Sequence, residues 1–185
     1  MKTTDPGSIR HRRVVIWIAC VGLTLSLLPG CSNHEPKLKP NRTDVPFVFI
    51  RLYSGMTGPG QTPQFGTIAA LWPDGTLVRA VSDDQVGKSY VKGSISADQL
   101  DMVRKAISET GILQEKSESM VVVDAASIHL NIRHEKGMQS WAYSPPIQKD
   151  DRITAIKKKL MSLPLSDESP VDAAPYKAYP HDWFK

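Results

Sequence analysis

Cysteine is nearly missing from this chain: its 185 residues hold two, Cys20 and Cys31. That excludes the disulfide framework that staples many small secreted domains. Aromatic residues make up only 7%, so a core has to be built mainly from aliphatic side chains. No serine stands in the Gly-x-Ser-x-Gly setting of a nucleophile elbow. An excess of one charge is lacking too. The formal charge is +4, but the first 30 residues hold four bases (Lys2, Arg10, Arg12, Arg13) against Asp5 alone. The remainder keeps 19 of the 23 basic and 18 of the 19 acidic residues, which leaves no clustered basic face for nucleic acid. What is present, 41% hydrophobic and 23% charged residues, is the composition of one globular domain with attachments.

The longest apolar run, Val14 to Leu28, is interrupted by Gly22, Thr24 and Ser26. It is shorter than the roughly 20 residues a helix needs to cross a bilayer core. A basic start at Arg10-His11-Arg12-Arg13, a short apolar middle and a small residue at Gly30 describe an export signal over residues 1–30. Leu28-Pro29-Gly30-Cys31 resembles the lipobox of bacterial lipoproteins, in which a small residue precedes an obligatory cysteine. The resemblance implies cleavage before Cys31, lipid on its sulfur, and a protein held on the cell membrane or outer membrane facing periplasm or exterior. Cys20 would leave with the signal, so Cys31 becomes a lone thiol, and lipidation accounts for it. Each buried methylene adds about 0.8 kcal/mol, so two or three acyl chains anchor durably where one does not.

Residues 31–45 are polar, with Pro36, Pro40, Lys37, Lys39 and Arg42, and read as a tether. A domain over 46–163 follows. Phe47 to Tyr53 alternates apolar and polar residues as a half-buried strand does. A Gly/Pro-rich loop leads to a strand from Thr67 to Trp72, and Pro73-Asp74-Gly75 turns into a partner strand from Thr76 to Val81. Ser89 to Ile95 is a further short strand. Ser96 and Gln99 form a capping box before a helix from Ala97 to Thr110, with Leu100, Val103 and Ile107 on one face. Gly111 is placed to end that helix. Val121 to Val123 is apolar and ends at Asp124. Strands are expected from Ser127 to Arg133, with His129, Asn131 and Arg133 outward, and from Met138 to Tyr143. A second helix runs from Asp151 to Met161. The expected fold is α+β: an antiparallel sheet of about five to seven strands with two helices packed on one face. From Pro164 the composition turns to Pro, Ala and acidic residues, then Tyr176, Tyr179, Trp183 and Phe184. That predicts an irregular tail over 164–185 whose aromatics dock on the domain or meet a partner.

Trp72-Pro73-Asp74-Gly75-Thr76, Gly93-Ser94-Ile95-Ser96 before the helix, Gly111-Ile112-Leu113, and Val123-Asp124 before a strand form a pattern over Phe47 to Tyr143. It is similar to a family of small exported bacterial domains of unknown function. The resemblance implies an α+β fold outside the cytoplasm and brings no catalytic residues.

Residues able to carry chemistry are few. Gly55 to Thr62 nearly has the spacing of a phosphate loop, but Gln61 stands where the lysine should be and no helix follows. His134-Glu135 lacks the second histidine of a zinc-protease helix, and His34 and His181 lie in the tether and the tail. Asp83-Asp84 reads as loop and Asp150-Asp151 as helix-start chemistry. The residues to watch for ligand binding are Asp124, His129, Trp141 and Tyr143, the last two sharing a strand face that could stack sugar rings. No cofactor, metal site or catalytic residue is expected. The reading is a membrane-anchored envelope protein with a non-enzymatic binding or structural domain and an envelope protein or glycan as partner; the alternative is a small envelope hydrolase or glycan-binding protein.

Overall fold

The computed structural model describes Leu38 and residues 42–53, 65–116, 125–145, 147, 149–177 and 183. The chain divides between residues 34 and 35, and every described residue belongs to the second unit. Its centre is a seven-stranded antiparallel sheet. In chain order the strands are β1 (Val48–Tyr53), β2 (Phe65–Leu71), β3 (Thr76–Ala80), β4 (Tyr90–Ser94), β5 (Ser127–His134), β6 (Gly137–Tyr143) and β7 (Ser166–Val171). They lie side by side as β6-β5-β1-β2-β3-β4-β7. The helices are α1 (Ala97–Glu109), α2 (Asp151–Ser162) and the single turn α3 (Ala174–Lys177). The architecture is the expected α+β.

Local chemistry sets the boundaries. At the β2–β3 hairpin, Asp74 Oδ1 accepts from Thr76 N at 2.9 Å and Trp72 N donates to Thr76 O at 2.8 Å. Gly75 sits at φ +90°, and a Cβ there would stand 2.8 Å from the Ile95 carbonyl oxygen, so only glycine makes this turn without strain. The capping box forms as its spacing requires: Gln99 N donates to Ser96 Oγ at 3.2 Å and Ser96 N to Gln99 Oε1 at 2.7 Å. Asp150 caps α2, accepting from the backbone N–H groups of Arg152 and Ile153.

One face of the sheet, the helix face, is mainly apolar. Val48, Ile50, Leu71, Leu77, Leu130 and Ile132 are buried beneath Leu100, Val103 and Ile107 of α1 and Ile153, Ile156 and Leu160 of α2. Each such side chain contributes about 1.5–3 kcal/mol on leaving water. Arg79, on this face of β3, donates to the carbonyls of Met161 at 2.6 Å and Leu163 at 2.8 Å. It thereby satisfies acceptors that the end of α2 leaves open.

Three differences from the sequence expectation concern polar segments. Residues expected to be tether contribute to the domain: Val45 is buried and Leu38 packs against the core, because two apolar side chains in a polar stretch suffice to fasten it. The tail is not irregular throughout. Ser166–Val171 pairs antiparallel with β4 as an edge strand, where the missing N–H of Pro170 and the charges of Asp167 and Glu168 are tolerated because one side of the strand needs no partner. Finally, Asn131 and Arg133 are not solvated. They are 4% and 6% exposed, because the sheet's other face is covered as well.

Candidate functional site

That other face, the tail face, follows from register. Antiparallel partners share a face, and the pairs Phe49–Asn131, Arg51–His129 and Tyr53–Ser127 join β1 to β5. Asn131–Ser140 and His129–Ala142 extend the rows to β6, and Arg51–Thr67 carries one to β2. The middle of the sheet thus presents the polar row Thr67–Arg51–His129, with Ser127 two residues before His129.

Ser127 Oγ lies 2.8 Å from His129 Nε2, the geometry of a hydroxyl paired with an imidazole. Ser127 is fully buried, and Thr67, also fully buried, has no partner for its hydroxyl among the described residues. Burial, and then the positive charge of Arg51, hold His129 below the ordinary imidazole range. A neutral imidazole with its proton on Nδ1 accepts the serine proton at Nε2. On the other side of Arg51, the Tyr90 hydroxyl, raised above its ordinary range by burial, accepts from Gly87 N at 2.8 Å. In the next row, Ser140 Oγ donates to Asn131 Oδ1 at 2.7 Å.

The C-terminal segment helps cover this face. The Tyr176 ring of α3 meets Tyr90 at 5.1 Å between centroids. Trp183 stands edge-on to Phe49 at 5.4 Å and to Trp72 at 5.5 Å, and its carbonyl accepts from Arg133 at 2.6 Å. The tail aromatics that are described dock on the domain.

Of the residues singled out from sequence, His129 stands in the polar row. Trp141 and Tyr143 instead point to the helix face and are 3% and 5% exposed. Tyr143 Oη is 3.3 Å from Thr154 Oγ1 on α2, so neither ring face is open to a sugar. Strand alternation had placed them together correctly, but alternation does not say which face a helix covers. Cys31, Asp124, His34 and His181 lie outside the described residues, as do Val121 to Val123 and the Gly55 to Thr62 loop. Sequence reasoning passed over Ser127 and Arg51. The signal available was Ser-x-His on an alternating strand, which puts both side chains on one face. No sequence signal tied Arg51 to them, since that contact depends on strand pairing.

His134, at the end of β5, is buried, and its Nδ1 accepts from Lys136 N at 3.1 Å. Burial holds it below the ordinary imidazole range, with the Gln139 side chain opposing. Among the described residues no group of three or more His, Cys, Asp and Glu side chains could hold a metal ion. An open cleft of about 380 Å³ lies beside α2 between Asp83, Lys157, Lys158 and Met161, with Lys157 Nζ 2.6 Å from Asp83 Oδ2. No known family's sequence pattern matches this chain, and neither does any curated protein.

Proposed function

We propose that this protein is a lipid-anchored component of the cell envelope whose α+β domain works by binding rather than by chemistry. The anchoring reading rests on sequence: the basic start, the apolar run from Val14 to Leu28 and the Leu28-Pro29-Gly30-Cys31 cleavage pattern. No helix among the described residues is long and apolar enough to cross a membrane, and acyl chains on Cys31 would supply the attachment.

The binding reading is carried by the position of Arg51 opposite His129. A histidine that activates a serine must become imidazolium as the bond forms, and hydrolases stabilise that ion with a carboxylate. Here the group in cross-strand register is a guanidinium, which opposes the proton. Ser127 is also buried away from any incoming carbonyl. The pair therefore serves as a hydrogen bond that stiffens the tail face.

The 2.8 Å contact between Ser127 and His129 favours a second reading, an envelope hydrolase. Treatment of the protein with a fluorophosphonate probe separates the two. No adduct is expected. An adduct that disappears in Ser127→Ala would replace the binding reading with the hydrolase. For the anchor, a labelled fatty acid fed to the cells should enter the wild type and not Cys31→Ser; equal labelling of both would defeat the assignment.

A further inference from the structure

One side chain ties the turn between β5 and β6 to the body of the sheet. His134 pairs with Gly137 across that turn, and Glu135 and Lys136 lie between them. His134 is 4% exposed, and its Nδ1 accepts from Lys136 N at 3.1 Å. An imidazole nitrogen that accepts carries no proton, so the neutral ring keeps its proton on Nε2. Gln139, two residues beyond Gly137 on β6, shares the face of His134. Its Nε2 is committed to Glu115 O at 3.2 Å, which leaves Oε1 as the acceptor for the imidazole. Neither that Oε1 nor His134 Nε2 has a partner elsewhere among the described residues, and both are buried.

The two nitrogens respond differently to a second proton. Toward Gln139, Nε2–H donates whether the ring is neutral or charged. Toward Lys136 only the neutral ring serves, because imidazolium donates from both nitrogens and its Nδ1–H would meet the Lys136 N–H. Burial weighs most against the charged ring, with Gln139 favouring it; Lys136 then opposes it and Glu135 favours it. β6 brings no charge to the ring. Arg133 takes the opposite face of β5, and the Glu115 carboxylate is held by Arg152.

We propose that His134 is a proton-operated latch: neutral, it holds the β5–β6 turn shut through Lys136 N, and protonated, it releases Lys136 while staying on Gln139. The turn is the moving part, and the sheet is not. Because burial holds the closed-state ring below 6.5, the latch is shut above that pH and opens as pH falls through the depressed value. This inference goes beyond the binding reading and depends on neither the lipid anchor nor Ser127.

Amide exchange and imidazole nitrogen shifts, followed by NMR on the full chain in detergent, test it. At neutral pH the His134 ring should be the Nε2–H tautomer. Below pH 6.5, Lys136 N–H should lose protection by up to about tenfold per pH unit, after correction for intrinsic exchange, while the β1 amides keep theirs. His134→Asn places Oδ1 near the position of Nδ1 and cannot titrate, so Lys136 should stay protected throughout. Gln139→Met removes the group that favours the charged ring and should move the opening to lower pH. A ring protonated on Nδ1 at neutral pH, Lys136 protection that ignores pH, or loss of protection at Lys136 and β1 together would overturn the latch. So would a Gln139→Met profile identical to the wild type.

Discussion

On the helix face, the sheet and the helices α1 and α2 exclude water mainly with aliphatic side chains that need no partners. On the tail face, Arg51, Thr67, Ser127, Asn131 and Arg133 are equally dry, but all five carry hydrogen-bonding groups that must be met. The first kind of burial is set by area and volume and tolerates exchange among aliphatics of similar size. The second is set by geometry, because a buried donor or acceptor left unmet costs about 1–3 kcal/mol. The helix face is therefore tolerant of apolar exchange, whereas the tail face depends on each hydrogen-bonding group keeping its place.

The contrast can be broken most directly by deleting volume. Leu130→Ala on the helix face should cost about 2–5 kcal/mol, and Phe49→Ala on the tail face, 1% exposed, about 3–5 kcal/mol; both are read from urea midpoints. If Phe49→Ala were nearly neutral, the tail face would not be packed as described. Asn131→Ala removes one acceptor of Ser140 Oγ and should cost about 0.5–1.5 kcal/mol, the net value of one hydrogen bond, with the backbone of β5 unmoved by amide exchange. Ser96→Ala lies away from both faces at the start of α1 and should cost about 1 kcal/mol, which gives a measure of a purely local effect.

The smallest effect is in acid. His129 and His134 are both held below their usual value of 6.5 in the folded state, so the unfolded chain binds more protons as pH falls through that value. Stability should be full above pH 6.5 and decline below it. His129→Gln should flatten part of that decline and His134→Gln another part. Because His129 is only half-buried, its share is modest. Asp150 acts in a lower window: burial works against its carboxylate, but Arg152 and the N–H groups at the start of α2 outweigh it and hold its pKa below 3.8. Its stabilisation is present above that value and lost as pH falls through the depressed one. A urea midpoint that stayed constant below pH 6.5 would mean that the two histidines are solvated after all.

Elements whose cause is local were legible in the chain. Ser96 and Gln99 marked the start of α1, Asp150 that of α2, and Pro73-Asp74-Gly75 the β2–β3 turn, because capping and turn chemistry act within a few residues. Period-two alternation located β1 and β5 and separated Ile128, Leu130 and Ile132 from His129, Asn131 and Arg133. It could not say that the second set would be dry. Edge strand β7 was missed because Ser-Asp-Glu-Ser-Pro-Val has neither alternation nor β-branched density; β4 recruits it.

The sequence by itself determined the order of most helices and strands and which stripe of each is apolar, since these follow from side-chain spacing along one chain. Only the tertiary structure decided that Arg51 stands opposite His129, that Trp141 and Tyr143 lie buried on the helix face, and that Trp183 reaches Phe49, Trp72 and Arg133. Those neighbours come from strands and segments far apart in sequence, and strand register, together with the path of the closing segment, brings them together.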